Sequence, residues 1–167
     1  MIRAASVLAV ALALGGCGLR PLYGGPNSNV ASTLACVEVA AIEGEAGWLV
    51  ANALRDRLSA TGGGSSRYRL DIELDDRIVG LGIRRDDTVT RERRTLRARY
   101  QLVDLANGAV LIDATAGSDA GIDVVSSEYA TVAAEKTALE RLSGQIADQI
   151  VGRVALYAAR IESGAGR

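Results

Sequence analysis

Two stretches of this chain alternate strictly between apolar and polar residues, the pattern of a strand with one buried face. Tyr68, Leu70, Ile72 and Leu74 face one way, while Arg67, Arg69, Asp71, Glu73 and Asp75 face the other. The pattern returns with Leu96, Ala98, Tyr100 and Leu102 against Arg97, Arg99 and Gln101. Asn107-Gly108 tolerates positive φ at both positions, which predicts a two-residue hairpin turn. Val110, Ile112 and Ala114 then return as a third strand. The apolar run Leu34 to Ile42 predicts a fourth, broken by Gly44.

Elsewhere the period lengthens to that of a helix. Between Glu45 and Thr61, Trp48, Ala51, Leu54 and Leu58 share one side, with Asn52, Arg55, Asp56 and Ser59 on the other. Glu45 favours the N-terminal end of the helix dipole, and Gly62-Gly63-Gly64 stops the helix. Trp48 and Tyr68 are expected to fill the core. A final helix starts at a Ser126 or Ser127 cap with Glu128 in its first turn. Val132, Leu139, Leu142, Ile146, Ile150, Val154, Tyr157 and Ile161 follow one face, opposite Glu135, Lys136, Glu140, Asp148 and Arg153. The order β-α-β-β-β-α predicts an α+β, two-layer sandwich. A four-stranded, mainly antiparallel sheet would carry two helices on one face, the C-terminal one long. Its open face would carry Arg67, Arg69, Arg97 and Arg99.

The alternation fades by Arg84, where Arg84-Arg85-Asp86-Asp87 forms a charged apex. Neither face of Thr90 to Thr95 suits a core. The hairpin is therefore expected to pass beyond the hydrophobic layer as a polar projection, or to end in a mobile loop.

The chain begins with Met1, Ile2 and Arg3, then an apolar run from Ala4 to Leu14 broken only by Ser6, then Leu14-Gly15-Gly16-Cys17. That is the layout of a secretory signal, and the run is too short to cross a bilayer. The Leu-Gly-Gly-Cys ending resembles the bacterial lipoprotein box. Residues 1–16 are expected to be removed, leaving Cys17 as a lipidated first residue. Both prolines, Pro21 and Pro26, fall between Gly18 and Thr33 with Gly24 and Gly25, so residues 17–33 read as a tether. Residues 34–167 read as one domain.

Composition narrows the function. A hydrophobic share of 49% with 23% charged residues is that of a globular protein. The net charge of −1 speaks against a nucleic-acid binder, which is usually basic. There is no His, the commonest general base and metal ligand. No Gly-x-Ser-x-Gly elbow, Walker loop or zinc spacing occurs. The triple glycine follows a helix rather than preceding one, so it does not cradle phosphate. Asp71, Glu73, Asp75 and Asp76 fit exposed strand positions better than a metal or acid/base pair. The chain is read as non-enzymatic, without metal or cofactor. Cys36, inside an apolar run, is expected to be a buried small hydrophobe.

Arginine supplies every positive side chain except Lys136. From Arg67 to Arg99 the series is interrupted by Asp71, Glu73, Asp75, Asp76, Asp86, Asp87 and Glu92. A solvated face laced with salt bridges accounts for such residues singly. The cluster Arg91, Arg93, Arg94 and Arg97, with only Glu92 between, is the candidate for binding a phosphate-bearing ligand through guanidinium forks.

Residues 17–24 read Cys-Gly-Leu-Arg-Pro-Leu-Tyr-Gly. They resemble the Cys-Gly-Phe-x-Pro-Leu-Tyr-Gly opening of the LptE family, lipopolysaccharide-assembly lipoproteins of Gram-negative outer membranes. Cys17, Gly18, Pro21, Leu22, Tyr23 and Gly24 match, and Leu19 replaces the common aromatic. The resemblance implies a periplasm-facing protein held in the outer membrane by its lipid, with the β-barrel LptD as partner. It implies that the protein plugs the barrel lumen, assists barrel assembly and binds lipopolysaccharide for delivery to the outer leaflet. The phosphates of that glycolipid are then what Arg91, Arg93, Arg94 and Arg97 would meet. The alternative is an auxiliary lipoprotein of an ABC-type lipid transporter, equally small and non-catalytic, which the opening block disfavours.

Overall fold

The long hairpin keeps its ladder well past the point where its sequence stops alternating cleanly. In the computed structural model, which describes residues 29–59, 65–83 and 89–165, the elements run α1 (Asn29–Ala35), β1 (Val37–Val39), α2 (Gly44–Ser59), β2 (Tyr68–Ile83), β3 (Val89–Asp104), β4 (Val110–Asp123) and α3 (Glu128–Ala165). The signal segment, Cys17, the opening block and the apex Arg84 to Asp87 lie outside the described residues. The sheet order is β1-β2-β3-β4. β1 pairs parallel with β2, and the other pairings are antiparallel, as expected of a mainly antiparallel α+β sheet.

β2 and β3 have 16 residues each, about 50 Å at 3.3 Å per residue. α3 has 38 residues, about 57 Å at 1.5 Å per residue. One helix can therefore run the length of the sheet. Leu139, Leu142, Ile146, Ile150 and Val154 of α3 are buried together with Val50, Leu54 and Leu58 of α2 and Leu70, Leu96 and Leu102 of the sheet. Each such side chain contributes about 1.5–3 kcal/mol by leaving water. Arg57 ties the two helices together: its Nε donates to Asp148 Oδ1 at 2.6 Å and its Nη2 to the Gly144 carbonyl at 3.2 Å.

Several expectations change. Leu34, Ala35 and Cys36 are not strand: Leu34 and Ala35 end α1, and Cys36 turns the chain into a β1 of three residues. α1 also takes in residues 29–33 of the expected tether, because Val30 and Leu34 at four-residue spacing are both buried. Trp48 is 64% exposed rather than core. The inward stripe of α2 is Gly47, Val50, Ala51, Leu54 and Leu58, and Trp48 stands about 100° off it. Gly47 is required on that stripe, since a Cβ there would lie 2.6 Å from the Ile42 carbonyl oxygen. In α3, Val132 and Ile161 are exposed, and Thr131 takes the inward place in the early turns. The β3–β4 turn is longer than Asn107-Gly108 alone. It closes with Gly108 N–H donating to the Asp104 carbonyl at 2.8 Å, and Gly108 has positive φ, at 71°.

Leu142→Ala is expected to cost about 2–5 kcal/mol, and Gly47→Ala about 1–3 kcal/mol through overpacking. Val132→Ala should stay within about 0.5 kcal/mol. Urea unfolding of the variants checks this ranking.

Candidate functional surface on the open sheet face

Cross-strand register decides which arginines share a surface. On β3, residues 96, 98, 100 and 102 face the helices, so 91, 93, 95, 97, 99 and 101 face out. Arg91, Arg93, Arg97 and Arg99 therefore form one row along the central strand. Acids flank it: Asp71, Glu73 and Asp75 on β2, and Asp113, Asp119 and Asp123 on β4.

Part of this surface is internally neutralised. Arg69 pairs with Asp71 at 2.8 Å, Arg77 with Asp75 at 2.8 Å, Arg91 with Asp123 at 3.0 Å and Arg99 with Asp113 at 3.1 Å. The Arg99 hydrogen bond, then that from Gln101, holds the Asp113 carboxyl below the usual carboxylate range. These exposed pairs are the salt-bridge lacing expected of a solvated face and contribute little to stability.

Arg93 and Arg97 are different. Among the described residues no ion pair or hydrogen bond joins either one. On β4 their register partners are Gly121 and Gly117, which offer no side chain to either guanidinium. A Cβ added at Gly117 would lie 3.5 Å from Arg97 Cγ. A shallow depression of about 430 Å³ surrounds Arg97, lined among others by Glu73, Asp75, Thr95, Arg99 and Asp119. In register with Arg93 stands Val79, which is 55% exposed, and in register with Arg91 stands Leu81. The outer part of the hairpin thus sets free and loosely paired cations beside apolar side chains.

Arg94 does not belong with the other three. Its even position puts it on the helix face, where its side chain is 12% exposed. Nε and Nη2 form a fork on Asp76 at 2.9 and 2.6 Å, while Nη1 donates to the Glu135 carbonyl of α3 at 3.0 Å. The Asp76 hydrogen bond raises its already high pKa further, against the opposing effect of burial. The expectation that neither face of Thr90 to Thr95 enters a core is corrected at this residue: paired and forked, an arginine fits there. The signal was present in the sequence, since extending the alternation back from Leu96 gives position 94 to the inner face. Sequence reading also missed Arg57, whose helix-to-helix contacts no local pattern encodes.

Among the described residues no group of three or more His, Cys, Asp or Glu is placed to hold a metal, and no helix is long and apolar enough to cross a membrane. Cys36 is a free, partly buried thiol packed against the core.

The sheet thus has one face under the helices and a charged face left open. The sequence profile described as LptE, lipopolysaccharide-assembly, matches residues 34–154. The chain belongs to this family of non-enzymatic lipoproteins involved in lipopolysaccharide assembly. The match excludes residues 17–24, so it is independent of the opening block. The fold is similar to that of a Caulobacter crescentus CB15 protein described as a lipoprotein: TM-score 0.68, 25% identity, 81% of this chain and 98% of that one. Rare lipoprotein B of Shewanella oneidensis gives TM-score 0.58 at 12% identity, covering 75% of this chain and 96% of that one. A minor lipoprotein of Acinetobacter baumannii gives 0.57 at 17%, covering 72% and 88%. No curated protein matches the chain.

Removing the Arg94 fork leaves Asp76 without its partner and frees the Glu135 carbonyl. Arg94→Gln is expected to cost roughly 1.5–3 kcal/mol, as charged hydrogen bonds do. Arg97→Gln should stay within about 0.5 kcal/mol. Equal midpoints in thermal unfolding would contradict the division between the two faces.

Proposed function

We propose that this protein is an outer-membrane lipoprotein, fixed by lipid on Cys17, that occupies the lumen of an LptD-type β-barrel and assists its assembly. In that place it binds lipopolysaccharide through the outer half of its open sheet face for delivery to the outer leaflet. The family membership supports the pathway. The observation that carries the ligand reading is the row Arg91, Arg93 and Arg97, with the last two unpaired, beside Val79 and Leu81. Guanidinium forks suit phosphate oxygens, and neighbouring apolar side chains suit the acyl part of the same molecule. Arg94, proposed from sequence as a fourth phosphate ligand, is already committed to Asp76 and Glu135 and is left out of the site.

The barrel reading rests on polarity. Barrel strands turn apolar residues to lipid and polar ones inward, so the lumen wall is polar and wet. Away from the outer arginine row, the paired charges Arg69–Asp71, Arg77–Asp75 and Arg99–Asp113 suit such a wall, because they present little net charge. Affinity purification of the tagged protein from membranes tests this: recovery of a large outer-membrane barrel supports it, and recovery of an inner-membrane transporter instead overturns it.

For the ligand, the triple variant Arg91→Gln, Arg93→Gln, Arg97→Gln should weaken lipopolysaccharide binding at least tenfold while unfolding at the wild-type midpoint. Wild-type binding should also fall as salt rises, since exposed charges are screened over about 10 Å at 0.1 M. Unchanged affinity in the triple variant would place the glycolipid elsewhere.

For the anchor, Cys17→Ala should give a folded protein that no longer sediments with membranes. An acyl chain contributes about 0.8 kcal/mol per buried CH₂, and stable anchoring takes more than one chain. Palmitate labelling that persists in the variant would show that Cys17 is not the lipid site.

A further inference from the structure

β4 is an edge strand of 14 residues, and such an edge presents backbone N–H and C=O groups that lack a sheet partner. In an antiparallel ladder these groups point alternately toward the neighbour and away from it. At Gly117 they point away, and a side chain meets them. The Gly117 N–H donates to Gln149 Oε1 at 3.2 Å, and the Gly117 carbonyl accepts from Gln149 Nε2 at 3.2 Å. The carboxamide of Gln149 stands where the peptide unit of another strand would stand. The period of two turns the backbone groups of Thr115 and Asp113 outward as well, whereas even-numbered Val124 donates inward to the Thr90 carbonyl at 3.1 Å.

Beside this outward row lies a groove of about 480 Å³, bounded by Asp113, Thr115 and Ala116 on β4, by Gln149 and Arg153 on α3, and by Tyr100. Arg153 is exposed, and among the described residues no ion pair or hydrogen bond joins it. Along α3, Gln145 meets Ser118 and Gln149 meets Gly117, so Arg153, one turn further on, lies toward the Asp113 end of the groove, and Gln149 closes the Gly117 end. Asp113 itself is engaged by Arg99 and Gln101, which leaves Arg153 as the charge that selects a ligand.

We propose that this groove is a strand-addition site for an extended peptide ending in a free carboxylate. The peptide pairs with the outward backbone of Thr115 and Asp113, antiparallel to β4, and its terminal carboxylate meets the Arg153 guanidinium. Main-chain hydrogen bonds supply affinity, and the guanidinium fork on the terminal carboxylate fixes the direction. Gln149 limits the pairing by filling the next backbone position. This surface is separate from the arginine row of the open face and serves a protein partner rather than a glycolipid.

The test is panning of the full chain against random heptapeptides displayed with free C-termini, followed by titration of the enriched peptides as synthetic acids and amides. Binding should fall at least tenfold on amidation and at least tenfold in Arg153→Gln. Thr115→Pro, which deletes one outward N–H and leaves the β3 ladder intact, should also abolish it. Hydrogen exchange at the Thr115 and Asp113 amides should slow when peptide is bound. No enrichment, equal binding of acids and amides, equal binding by Arg153→Gln, or unprotected Thr115 and Asp113 amides would each overturn the proposal.

Discussion

β3 is hydrogen-bonded on both sides along nearly its whole length, so it cannot slip by one residue without moving its side chains to the wrong face. That constraint sorts the chemistry of the molecule. It sends Leu96, Ala98, Tyr100 and Leu102 under the helices and holds Arg91, Arg93, Arg97 and Arg99 in a row on the other side. It also explains why Arg94, two places from Leu96, has a structural task while Arg93 beside it has none. The free energy behind the register is the burial of the inner residues, and the outer row takes its geometry from them without being part of the core.

α3 makes this arrangement stable over its full length. A sheet of three long strands exposes one apolar face, which α3 covers along β3 and β4 while α2 packs beside it over β1 and β2. The apolar contacts are supplemented by two arginine forks reaching across elements, Arg57 onto α3 near Gly144 and Asp148, and Arg94 onto α3 at Glu135. Each arginine satisfies a backbone carbonyl as well as a carboxylate. The cost of holding a cation at a partly buried position is thereby offset. Gln149 extends the same logic to the sheet edge by giving Gly117 a side-chain partner.

Much of the fold was legible because strand and helix periods differ and the chain keeps each one over many residues. The sheet, its mainly antiparallel pairing, the helix order and the outward places of Arg97 and Arg99 followed from that. What escaped was decided by packing contacts that the local period does not encode. Leu34 reads as the start of a strand because it sits in an apolar run, but it packs as the last turn of a short helix. Trp48 reads as core because it is large, yet the close approach of α2 to Ile42 needs Gly47, and the tryptophan is turned outward. Arg94 reads as ligand-binding because it stands among three other arginines, although the alternation places it inward, and the folded contacts show Asp76 and α3 holding it.

The functional account joins a family role in lipopolysaccharide assembly to one surface where, among the described residues, Arg93 and Arg97 are unpaired, Arg91 holds only the exposed Asp123, and apolar side chains stand alongside. Its central claim is that ligand phosphates meet the outer row of β3 and leave the inner face undisturbed. The most direct measurement follows the arginine Nε–H signals by NMR during titration with lipopolysaccharide. The account predicts that Arg91, Arg93 and Arg97 shift while Arg57 and Arg94 hold their free-state positions. Shifts at Arg57 or Arg94 with none along the outer row would contradict it.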